Sequence, residues 1–68
     1  MKPKYEMTEE QSRESIARYL RLLRLWRDAA GNQAERLVRR AEAEFFVMDG
    51  PTATAAIAAA RAEGLPQL

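Results

Sequence analysis

Apolar and polar positions follow a helical period along most of the chain, and no stretch alternates apolar and polar residues as a half-buried strand would. The pattern predicts three helices, at about residues 8–30, 33–48 and 51–63. The connections between them are short, which is typical of antiparallel neighbours. We therefore predict an all-α fold, a small three-helix bundle with a flexible N-terminal extension.

Residues that favour helix ends stand at the first two boundaries. Thr8 can cap the first helix while Gln11, three residues later, returns a hydrogen bond to the cap. Gly31 is expected to end that helix in a left-handed conformation. Asn32 and Glu35 then form a second cap-and-return pair, which predicts that the second helix opens there.

The third helix is rich in alanine, which orders in a helix without losing side-chain entropy. We expect it to begin beside Pro51, because proline is favoured at the first helical position. Gly64 is expected to end it, and residues 65–68 to form a tail. Its inward face offers alanines and one large residue, Ile57, so it should pack as a thin layer on the other helices.

The first helix carries more apolar surface than one neighbouring helix can cover. Residues 17–28 read ARYLRLLRLWRD, with an arginine at every third position and an apolar pair in each gap. Because a helix turns about 100° per residue, the apolar pairs sweep over more than half of its circumference. With Tyr19 and Leu23 inward, Leu25 points to the opposite side and Leu22 lies at the margin. We therefore expect a second contact face on this helix.

The arginines of this segment have three interpretations. Their stems can cover apolar carbon while their heads reach water, with local pairs from Glu14 to Arg18 and from Arg24 to Asp28. They can form the rim of a protein interface, since arginine, tryptophan and tyrosine are enriched at binding hot spots. They can also contact phosphates. The four residues are Arg18, Arg21, Arg24 and Arg27.

Two further apolar features also leave alternatives open. Trp26, the single tryptophan, can anchor the core between the first two helices or serve as a hot spot in an interface. Residues 45–48, FFVM, are apolar all round a helix. Either both sides of this corner are buried, or Phe46 and Val47 form an exposed patch.

Length and charge limit the remaining possibilities. The 68 residues predict one helical domain, residues 8–68, preceded by a flexible basic arm, residues 1–7, with Lys2 and Lys4. So short a chain is marginally stable alone, and self-association or a partner would supplement it. A net charge of +1 gives no overall attraction to nucleic acid. The lack of cysteine and of a membrane-spanning apolar run favours a cytoplasmic protein without membrane contact.

The residue inventory argues against an enzyme. Without histidine or cysteine, the usual general base, thiol nucleophile and imidazole ligand are missing. Glu42 and Glu44 are two positions apart, so they diverge on a helix and cannot hold a metal together. The glycines stand singly at helix ends and form no phosphate-binding loop. We predict no catalytic residue, no cofactor and no metal site.

These observations predict a non-catalytic protein–protein interaction module, meaning a small regulator, inhibitor or adaptor. It would bind a larger protein that has an acidic or apolar groove, and a homodimer is also possible. The alternative is a nucleic-acid-binding accessory or regulatory protein that acts as a dimer, and a third possibility is a purely structural oligomer subunit. The predicted partner-binding residues are Lys2, Lys4, Arg18, Tyr19, Arg21, Leu22, Arg24, Leu25, Trp26 and Phe46.

Overall fold

The computed structural model describes residues 6–68 and contains three α-helices within them. They are α1 (Glu9–Arg27), α2 (Gly31–Phe46) and α3 (Gly50–Ala62). The described residues include no strand, so the predicted all-α fold is confirmed. The helix boundaries differ from the predicted ones by one to three residues.

The predicted capping box opens α1. The hydroxyl of Thr8 accepts the Gln11 N–H at 3.1 Å, and the Gln11 side chain accepts the Thr8 N–H at 2.9 Å. The helix ends at Arg27, three residues before the predicted end. The reason is that the N–H groups of Asp28 and Ala29 donate to carbonyls three residues back instead of four. These bonds form a tighter turn, which ends the α-helix.

The predicted cap of the second helix is wrong. Its N-cap position is Ala30, and no side chain caps it, so Asn32 and Glu35 do not form the expected pair. Gly31 adopts the predicted left-handed conformation, with φ of 59°, but it is the first residue of α2 and does not end α1, whose C-cap is Asp28. That conformation completes the turn before Asn32, so Asn32 falls inside the helix, beyond the cap.

Asp49 caps α3 and also holds the segment before α1. Its carboxylate accepts the Thr52 N–H at 3.0 Å and the Met7 N–H at 2.9 Å. Proline stands in the first turn of α3, as predicted. The folded domain thus includes Met7, whereas Lys2 and Lys4 of the predicted arm lie outside the described residues.

The end of α3 corrects the predicted tail. Gly64, with φ of 69°, stops the helix as expected. The Leu65 N–H donates to the Ala60 carbonyl and the Gly64 N–H to the Arg61 carbonyl, both at 3.0 Å, which is a Schellman motif. This turn carries Leu65 back onto the helix, where it is buried in the core.

α1 is the central helix of the bundle. The first half of α1 lies beside the end of α2, so these helices are antiparallel. α3 runs parallel to α1, because Ser12 and Thr52 share a hydrogen bond of 2.6 Å at the start of both helices. At the other end, Arg24 of α1 meets Glu63, just after α3. α2 and α3 each pack on α1 and make few contacts with one another.

The core follows the inward face of α1. Tyr19 and Leu23 are its largest fully buried residues. Ile57, the large inward residue predicted for the third helix, is only half-buried. Leu65, just after α3, is the large residue of this segment that is buried in the core. Small side chains let α3 approach α1 closely, as the alanine pattern predicts. The buried cluster consists of Tyr19, Leu23, Ala41, Ala56, Ala60 and Leu65.

Candidate partner-binding surface

A groove of about 530 Å³ lies between α1 and α2. On each wall the lining residues stand at positions i, i+3, i+4 and i+7, a spacing that places them on one helix face. On the second wall the last of them, Val47, directly follows α2. The apolar lining residues are Leu22, Leu25, Ala43 and Val47. The charged lining residues are Arg18, Arg21, Arg40 and Glu44.

The apolar part of the groove is open to solvent. Leu25 is 50% exposed and Val47 is 59% exposed, whereas Leu22 is half-buried and packs against the core. Leu22 therefore lies at the margin of the core, whereas Leu25 is exposed to solvent beside α2. One exposed leucine is ordinary on a protein surface, but apolar residues from two helices that share a groove form a patch.

The arginine spacing attaches α1 to both of its neighbours. A step of three residues along an α-helix falls about 60° short of a full turn. Arg18 and Arg24 are two such steps apart, so they stand about 120° apart around α1. Arg18 pairs with Glu44 of α2, with Nε and Oε1 2.7 Å apart. Arg24 pairs with Glu63 beyond α3 through two hydrogen bonds, of 2.9 and 2.5 Å. Each arginine thus holds a different helix.

The local pairs predicted within α1 do not form among the described residues. Arg18 and Arg24 turn to carboxylates on other parts of the chain, leaving Glu14 and Asp28 without them. Asp28 lies 3.6 Å from Arg27 instead. The carboxylates across the bundle meet two nitrogens of each guanidinium, a geometry that adds specificity and strength.

Glu44 belongs to a small polar network between α1 and α2. The Ser15 hydroxyl, fully buried, donates to the Glu44 carboxylate at 2.9 Å. The hydrogen bond from Arg18 lowers the pKa of Glu44, and Ser15 acts in the same direction, while burial opposes them. Glu44 is therefore ionised at neutral pH, and its charge is balanced by Arg18.

Arg21 and Arg40 carry the uncompensated charge of the groove. Both are exposed, and within residues 6–68 neither lies within salt-bridge distance of an acid. They come from opposite walls, Arg21 from α1 and Arg40 from α2. The groove therefore combines an apolar floor with two positive charges that are available to a partner.

Tyr19 is a core residue and not the contact residue that the sequence predicts. It is only 2% exposed, and its ring centroid lies 5.6 Å from that of Phe45. Burial raises the pKa of its hydroxyl.

Trp26 is half-buried against the core and lines a shallow depression with Ala34 and Val38, on the flank of α2 away from the groove. Neither aromatic ring lines the groove.

The corner after α2 is exposed, which decides between the two predicted alternatives. Phe46 is 89% exposed and does not line the groove. Val47 lines the groove, so it is the member of the predicted Phe46 and Val47 patch that belongs to the site. The sequence pattern does not predict Arg40, Ala43 and Glu44 as contact residues. Their i, i+3 and i+4 spacing, continued by Val47 at i+7, matches the spacing of the lining residues on α1.

Comparisons with known proteins add no relative. No family model matches the chain. No curated protein and no solved structure matches it either. Over residues 6–68, no helix has the length and apolar character needed to cross a membrane. The same residues contain no cluster of three acidic, histidine or cysteine side chains placed to hold a metal ion.

Proposed function

We propose that the protein is a non-catalytic interaction module, a small cytoplasmic regulator, inhibitor or adaptor, that binds a larger protein through the groove between α1 and α2. The observation that carries the proposal is the half-exposed Leu25, which shares an open apolar floor with Leu22 and Val47. The sequence supports it further, since a chain without histidine or cysteine lacks the commonest catalytic groups.

Covering the exposed apolar floor of the groove would contribute free energy to binding. Burying a whole leucine side chain is worth about 1.5–3 kcal/mol, so covering the exposed half of Leu25 would contribute about 1 kcal/mol. Val47 would add a similar amount, because more than half of it is exposed. A partner that covers both residues and meets Arg21 would therefore gain apolar burial and charge pairing in one place.

A capture experiment with matched variants tests this function. Tagged wild type, Leu25→Glu and Ala55→Glu would each be used to recover proteins from native lysate, followed by quantitative mass spectrometry. Ala55 is exposed on α3 and does not line the groove, so its variant controls for an added charge. We expect proteins that wild type and Ala55→Glu retain and that Leu25→Glu loses by about tenfold or more. Purified candidates would then be tested for direct binding.

Two results would contradict the proposal. Recovery of the same proteins by wild type and Leu25→Glu would show that the groove is not the contact surface. Binding to nucleic acid that falls steeply with salt, and that Arg21→Ala weakens more than Leu25→Ala, would favour the rival class of function.

A further inference from the structure

We infer that the segment that fills this groove is an amphipathic α-helix of a partner protein, with an apolar stripe flanked by carboxylates on both sides. The inference rests on the proposed function, because it names the kind of partner segment that the same groove accepts. Three properties of the groove lead to it: its shape, its lining and its charge.

The shape of the groove suits a third helix. Its walls are two antiparallel helices, and the lining of α1 extends from Arg18 to Leu25. Seven residues at about 1.5 Å each make a contact about 10 Å long, or roughly two helical turns. A helix that lies between two others presents anchors at i, i+3 or i+4, and i+7, and this length accommodates that set.

The lining disfavours other peptide conformations. Addition of a β-strand requires a free sheet edge, and the described part of the chain has no strand. Proline-rich segments dock in grooves lined by aromatic rings, whereas the apolar lining here consists of leucine, alanine and valine. An apolar helix face is the segment that fills aliphatic walls of this kind.

The charge of the groove indicates which side chains flank the apolar stripe of that helix. Arg18 and Glu44 compensate each other, so Arg21 on one wall and Arg40 on the other remain to attract carboxylates. A second copy of this chain is a poor occupant, because its exposed face around Leu25 carries the same arginines and would bring like charges together. A phosphate backbone would satisfy the arginines but would leave the apolar floor uncovered.

A displayed peptide library provides the test. Peptides of about 16 residues, long enough to form a helix, would be randomised among Leu, Ala and Ser on one face and among Glu, Lys and Gln on its flanks. Selection on wild type, with counter-selection on Leu25→Glu, should enrich leucine at i, i+3 or i+4, and i+7, with glutamate on both flanks. Affinities would be measured by anisotropy of labelled synthetic peptides.

The enriched peptide should bind about tenfold or more tightly than its lysine-flanked counterpart, and the double variant Arg21→Glu, Arg40→Glu should reverse that preference. Enrichment of lysine-flanked or non-helical peptides, or of none, would overturn the inference. A dimer seen by light scattering and lost in Leu25→Glu would overturn it as well. If lysate capture still depends on Leu25 in any of these cases, the proposed function stands and only the class of the segment is wrong.

Discussion

Two leucines two positions apart on α1 should respond very differently to truncation. Leu23 is fully buried in the core and Leu25 is half exposed in the groove, so Leu23→Ala and Leu25→Ala remove the same atoms from opposite environments. Each substitution removes three carbon atoms, worth roughly 2.4 kcal/mol of transfer free energy when fully buried. At Leu23 a cavity adds to this, and we expect a loss of about 3–5 kcal/mol.

The loss at Leu25 should be about 1 kcal/mol, because half of the side chain already contacts water and no closed cavity remains. A chain of this length has a total stability of about 3–10 kcal/mol, so Leu23→Ala removes a large share of it. Urea unfolding followed by circular dichroism measures both values. With a slope near 1 kcal/mol per molar urea, the midpoints should fall by about 3 M or more for Leu23→Ala and about 1 M for Leu25→Ala.

Equal shifts for the two variants would refute this reasoning, since they would mean that Leu25 is as well covered as Leu23. The measurement should be repeated over about a hundredfold range of protein concentration. A midpoint that rises with concentration in wild type, and not in Leu25→Ala, would show that a second copy covers the groove.

Three further predictions concern the helix ends and the polar network. Gly64→Ala should cost about 1–2 kcal/mol in the urea unfolding assay, because φ of 69° is unfavourable for a residue with a Cβ, whereas Gly50→Ala should be close to neutral. Thr8→Ala should cost about 1 kcal/mol by the same assay, and Thr8→Ser should retain most of the cap. The hydrogen bond from Arg18 lowers the folded-state pKa of Glu44, so in acid the unfolded state binds more protons, and stability falls as the pH drops from the ordinary glutamate pKa through the lowered one. When unfolding is measured as a function of pH, the stability of Glu44→Gln should fall less steeply than that of the wild type over this acidic range.

The parts of the fold that depend on neighbours in the sequence were predictable. The capping box of Thr8 and Gln11 depends on residues three apart, and the left-handed conformation of Gly31 on its own lack of a side chain. The predicted cap at Asn32 is wrong because the helix begins two residues earlier than the cap pattern implies, with Ala30 at the N-cap position. The sequence pattern places Leu65 in a tail, whereas the backbone hydrogen bonds of the Schellman turn bring it back to the core after the helix has ended.

The parts that depend on packing between helices were not predictable from one sequence. Arg18 and Glu44 are 26 positions apart, and their pairing requires the register of α1 against α2. Within and beside α1 the acids at helical spacing from these arginines are Glu14 and Asp28, so the sequence predicts the wrong partners for Arg18 and Arg24. The sequence predicts a second contact face on α1 and no groove between α1 and α2. The exposure of Leu25 follows from the circumference of its own helix, whereas Arg40 and Val47 belong to the site only through the position of α2.

The small side chains between α1 and α3 have a consequence for the temperature dependence of folding. The buried residues of α3 are Thr52, Ala56 and Ala60, which together remove little apolar surface from water. The heat capacity change of unfolding grows with the apolar surface exposed, and an average chain of 68 residues would show about 0.8–1.0 kcal/mol/K. This chain should fall below that value in calorimetry. Its stability curve is then broad and shallow, so cooling or warming by a few tens of degrees around the maximum changes the folded population little.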